Sequence, residues 1–143
     1  MRPAAAVLAL AFVMACAGQE EEPPPPPAGP TLADFAGTWQ VKSVLEGTPD
    51  TVQSTMTGGA YSDAWTMSLE GRPNIPLTVS VVGDSLIGQS AEYESVLRQG
   101  VMVSVRTASV VSGGMLTGNL VATYKTQSGE QVVNGTMTAT RTP

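Results

Sequence analysis

Two carboxylates separated by one residue, Glu92-Tyr93-Glu94, are the closest this sequence comes to a catalytic pair. On an extended segment, residues two apart share a face and stand roughly 7 Å from each other, which falls in the range of paired-carboxylate glycosidases. No neighbouring residue would hold one of the two protonated, so the pair reads as a solvated strand face. Ser95 follows at once, yet the chain contains no histidine. That absence removes the Ser-His-Asp triad, and with it the commonest general base and metal ligand. A Ser-Lys dyad through Lys42 or Lys125 has no supporting spacing. Cys16 is the single cysteine, which forbids an intrachain disulfide and a Cys-built zinc cage. Asp50, Asp63 and Asp84 fall in turn sequences, where aspartate bonds its own backbone, and no run has the dense oxygen-ligand spacing of a calcium loop. Asn134-Gly135-Thr136 fits a glycosylation acceptor but reads here as local backbone geometry. The seven Lys and Arg are scattered singly in a chain of net charge −5, whereas nucleic acid requires clustered cations. The expectation is a protein with no catalytic step, no metal, no cofactor and no nucleic-acid partner.

The chemistry that remains is binding. Trp65, Tyr93 and Tyr124 are the large groups expected around a cavity, since apolar pockets combine a few aromatics with a few polar anchors; ordinary core packing is their competing role. Met56, Met67, Met102, Met115 and Met137 offer either an adaptable lining or simple core filling. These residues are carried on a chain with no sustained helical repeat. Turn signals recur instead at Gly47-Thr48-Pro49-Asp50, Gly58-Gly59 to Asp63, Gly71-Arg72-Pro73-Asn74, Gly83-Asp84, Gln99-Gly100, Gly113-Gly114 and Gln127-Ser128-Gly129-Glu130. The segments between them alternate apolar and polar: Trp39, Val41, Ser43 and Leu45 on one face, then Ile75, Leu77, Val79 and Val81, and later Leu116, Leu120, Ala122 and Tyr124. Such period-two patterning, rich in Val and Thr, marks half-buried strands. Eight antiparallel strands joined by hairpins close most simply into an up-and-down barrel, which leaves no exposed sheet edge. Val44, Val82, Val110 and Val132 break the alternation by falling on the solvent face, and they keep a two-sheet sandwich in play. A barrel of this size is either filled by side chains or holds one small ligand, and so few aromatics favour a cavity.

Asp34-Phe35-Ala36-Gly37-Thr38-Trp39 opens the first strand and resembles the Gly-x-Trp signature of the lipocalin and calycin family. In that family the tryptophan closes one end of an eight-stranded barrel and an arginine near the end of the last strand stacks on it. The resemblance therefore implies a structural role for Gly37, Trp39 and Arg141, and a domain that binds a small apolar or amphipathic molecule. The chain departs from the family in its shorter domain, in lacking a C-terminal helix, and in having no Thr-Asp-Tyr-like second motif.

The N-terminus reads as an address. Arg2 precedes the apolar run Ala4 to Ala15, which is shorter than the roughly 20 residues of a spanning helix and suits the core of a signal peptide. Val13-Met14-Ala15-Cys16 resembles the lipobox of bacterial lipoproteins, departing at Met14, where a smaller residue is more usual; an ordinary secretory cut after Ala15-Cys16-Ala17 is the alternative. The resemblance implies a lipidated Cys16 that anchors the protein to a membrane. With Ala17 rather than aspartate after the cysteine, it further implies an outer-membrane lipoprotein of the bacterial cell envelope facing the periplasm. Gln19 to Glu22 and the prolines 23–27 form a semi-rigid tether. The expected organisation is a signal peptide over 1–15, a lipidated cysteine with a Glu/Pro-rich tether over 16–30, and a β-barrel domain over 31–143. Two functions suit it: a non-catalytic binder of a small ligand, or an envelope protein–protein interaction module such as an inhibitor or assembly factor.

Overall fold

The computed structural model describes residue 18, residues 22–25 and residues 29–143. Cys16 and the apolar run before it lie outside the described residues. A short helix, α1 (Leu32–Phe35), leads into strands β1 (Gly37–Leu45), β2 (Thr51–Gly58), β3 (Trp65–Ser68), β4 (Ile75–Val82), β5 (Ser85–Ser90), β6 (Tyr93–Glu94), β7 (Met102–Ser112), β8 (Met115–Thr126) and β9 (Gly129–Arg141). Every pairing is antiparallel. Strands β1 to β5 form a meander, β7 to β9 a second one, and the two are joined at both sides by β1–β9 and β5–β7. Eight strands thus close into an up-and-down barrel, and closure sets aside the two-sheet alternative. Each of the seven turn sequences falls at a junction between strands.

The ninth strand, β6, arises from a bulge. Gln89 faces Arg106, but Tyr93 faces Val103, so four residues on one side of the ladder span three on the other. The extra residue frees the backbone of β7, and the Ser90 hydroxyl takes its place by accepting the Val105 N–H at 2.8 Å. The Ala91 N–H meanwhile donates to the Pro76 carbonyl at 3.0 Å. The segment read from the sequence as one strand is therefore bent inward at its end.

Burial follows the period-two pattern. Val79, Leu86, Val103, Leu120, Ala122 and Met137 are buried within the barrel, and Val44, Val82, Val110 and Val132 stand on its outer wall. Two inward-facing glycines let the long strands coil. A methyl group on Gly118 would enter the Ala108 carbonyl and Ser109 Cα of β7, and one on Gly135 would enter the Val44 carbonyl of β1; only a residue without Cβ permits neighbours to approach so closely.

One end of the barrel is plugged. Phe35 and Trp39 are both 1% exposed, and each large side chain withdrawn from water contributes roughly 2–3 kcal/mol. The Trp39 indole N–H donates to the Phe35 carbonyl at 2.8 Å. The Asp34 carboxylate caps α1 by accepting the Thr31 N–H at 2.7 Å. Arg141 lies over the Trp39 ring, 4.4 Å from its centroid, and donates to the Asp34 carbonyl at 2.8 Å. Gly37, at φ +134°, runs alongside the Arg141 side chain.

Candidate functional site

Beyond the plug the interior is not filled. The inward residues of β1, β7 and β8 at this level are Val41, Val105 and Ala122, and Gly88 of β5 presents no side chain at all. Small and medium side chains around an eight-stranded wall leave a cavity of about 80 Å³. A water occupies about 30 Å³ of liquid and a cavity of about 150 Å³ takes one benzene, so this one accommodates roughly three water-sized or methylene-sized units. Its lining starts at Val41, two residues past Trp39, and runs toward the opposite end of the barrel, where Leu45, Val52 and Leu69 border it.

The lining is apolar and hydroxylic. No Asp, Glu, Lys or Arg is part of it. Ser43 and Ser54 contribute hydroxyls from β1 and β2, and Ser90, Thr107 and Ser109 contribute them from β5 and β7. Gly88 pairs with Thr107 across the ladder, and a Cβ there would stand 2.9 Å from the Thr107 Oγ1. Glycine at this point keeps that hydroxyl uncovered.

Tyr93 and Tyr124 both line the cavity. They flank Val103 in one register row across β6, β7 and β8. Burial, with a smaller contribution from Tyr124, pushes the Tyr93 phenol from 10.0 up to about 12, against an opposing pull from Arg72. The phenol is therefore protonated at neutral pH and able to donate. Trp65, grouped with the tyrosines in the sequence reading, is not part of the lining. Its indole packs over Gly58, where no Cβ would fit, and its N–H donates to the Gly59 carbonyl at 3.0 Å. The indole is spent on β2 and its turn, with the ring 1% exposed.

Residues 95–101 fold across the end opposite the plug. The Ser95 hydroxyl accepts the N–H groups of Leu97 and Arg98, each at 3.1 Å, and so fixes a tight turn. Val96 and Leu97 thereby face the cavity. Arg98 pins the turn from outside: its guanidinium lies 4.1 Å from the Tyr124 ring centroid and donates to the Gln131 side chain at 2.7 Å. The sequence reading marks this turn only at Gln99-Gly100 and puts Ser43 on the face of Trp39, but gives no binding role to Ser54, Ser90, Ser109 or Gly88. Their one signal is position, since serine and glycine at inward sites of an alternating strand register there as breaks in the pattern.

Glu92 and Glu94 serve the rim. Glu92 is paired with Lys125, and Glu94 accepts the Gly100 N–H at 3.1 Å while its carbonyl accepts from Arg72. The two carboxylates are committed to different partners. No family model, curated protein or solved structure matches the chain. What the geometry defines is a class: a small, closed, antiparallel β-barrel, plugged at one end and hollow toward the other.

Proposed function

We propose that this protein is a lipid-anchored bacterial envelope protein whose lipocalin-like barrel binds a small apolar or amphipathic molecule without transforming it. The observation that carries the reading is the cavity, apolar, hydroxyl-bearing and ringed by Tyr93 and Tyr124. The stacking of Arg141 on Trp39 beside Gly37 supports kinship with the family whose signature the sequence resembles. The anchor rests on the resemblance of Val13 to Cys16 to a lipobox, and Cys16→Ser is expected to abolish incorporation of labelled fatty acid. Native mass spectrometry of the Cys16→Ser protein, gently purified, tests the binding. An adduct of defined mass that leaves on denaturation is the expected result. Ala122→Phe, which fills the cavity from β8, is expected to abolish it, and an adduct that survives this change in a folded protein overturns the assignment of the site.

A second reading has one observation in its favour. Val82 and Val110, 64% and 38% exposed, flank Ser85 in a single row on the outer wall, and exposed apolar side chains grouped on one face are what a protein partner would cover. Photocrosslinking from position 82 in intact cells separates the readings: a single envelope protein captured there favours an interaction module.

A further inference from the structure

We propose that the barrel selects for neutral ligands: its occupant is a slender molecule that places about three carbon-sized units in the cavity and whose polar end is an uncharged hydroxyl, ester or amide, and not a carboxylate or an amine. The inference rests on the binding reading above and narrows it to a ligand class.

Every polar side chain that lines the cavity ends in a hydroxyl. A hydroxyl donates one hydrogen bond and accepts others, so it satisfies an alcohol, an amide or an ester equally well. It cannot neutralise a charge. A carboxylate or ammonium group drawn out of water into such a lining has no counter-ion, and an unpaired buried charge is far costlier than a buried hydrogen-bonded dipole. The cations at this end of the barrel are committed at its rim. Arg98 is held by Tyr124 and Gln131, Arg72 by the Glu94 carbonyl, and Lys125 by Glu92. Tyr93 reports the same environment, since the burial that keeps its phenol protonated also disfavours a charged ligand beside it. The hydroxyls are also distributed to suit a ligand lying along the barrel. Ser43 and Ser54 sit on β1 and β2, whereas Ser90, Thr107 and Ser109 sit on β5 and β7, with Gly88 leaving Thr107 open between them. Valine, leucine and methionine fill the stretches between these groups and give the apolar part of the ligand its contact.

The test holds chain length fixed and changes only the head group. 1-Butanol, butanamide, butanoate and butylammonium are titrated into the Cys16→Ser protein at pH 7, with Kd from calorimetry and the site from perturbation of the Tyr93 and Tyr124 ring resonances. Butanol and butanamide are expected to bind at least about tenfold more tightly than either ion and to move both rings. If butanoate or butylammonium binds as tightly as butanol, the selection for neutral ligands is overturned while the binding reading stands. If no probe perturbs either ring, both are overturned. Ala122→Phe is expected to weaken all four probes together. Should that variant fail to fold, the ring resonances of the unaltered barrel still locate the site.

Discussion

Arg141 joins three parts of the chain through one side chain: it covers Trp39, donates to the Asp34 carbonyl of α1, and packs along Gly37. A cation over an indole contributes about 0.5–2 kcal/mol, and the hydrogen bond about 1 more. Arg141→Ala is therefore expected to lower stability in urea by about 1–3 kcal/mol with an unchanged m value, and Arg141→Lys to recover only part of it, since lysine lacks the planar face. Gly37→Ala should cost a similar amount through its φ of +134° alone. Tyr93 makes a prediction of opposite character, in pH. Its proton is held more tightly in the folded state than in the unfolded chain, so the associated stability is fully present below pH 10 and is lost as pH rises toward 12. The change amounts to no more than about 3 kcal/mol. Unfolding free energy measured from pH 9 to pH 12 should fall more steeply in the native sequence than in Tyr93→Phe, and parallel curves would refute the assignment.

At the scale of elements, the barrel's curvature is concentrated where strands lack side chains. Gly118 and Gly135 place β8 against β7 and β9 against β1 too closely for any methyl group. Gly118→Ala and Gly135→Ala are each expected to lower stability by at least about 2 kcal/mol, as seen in thermal melts followed by circular dichroism. Gly59→Ala, with open space around it, should be near neutral, and equal effects at all three positions would sink the argument. These same elements show what a sequence makes legible. The strands and turns were readable because alternation and Gly-rich turns are local signals, although Val44, Val82 and Val110 interrupt that alternation by standing on the outer wall. The β5–β6 bulge was not, because Ser90 substitutes for a ladder hydrogen bond only once β7 is beside it. Trp65 shows the limit for the site. Composition places an aromatic near a cavity, but Gly58, seven residues earlier, decides that the indole turns onto its own hairpin. The Ser90 hydroxyl of β5 joins those of Thr107 and Ser109 only through the pairing of β5 with β7.

The whole molecule has a direction. The chain enters the barrel through Thr31 and α1 at the end plugged by Phe35 and Trp39, where Gly29 stands beside the Gly83 carbonyl of the β4–β5 turn. The cavity lies toward the other end, under the turn of residues 95–101. A lipid on Cys16 would thus be joined to the plugged end, and the Arg98 turn would on average point away from the bilayer. With the proposed anchor and ligand, this arrangement would make exchange with the aqueous phase, or with a partner molecule, the direct route, and exchange with the host membrane the long one. Fluorophores placed by Ser112→Cys at the plugged end and by Gln99→Cys at the Arg98 turn, both exposed positions, give a measurement on the acylated protein reconstituted in vesicles. Acylation of Cys16, as proposed, would keep that thiol from being labelled. A quencher carried on the lipid headgroups is expected to dim the Ser112→Cys label more than the Gln99→Cys label, and to do so less as uncharged spacer residues are added to the tether. Stronger quenching at position 99 would instead place the cavity against the membrane, and ligand would then pass directly between barrel and bilayer.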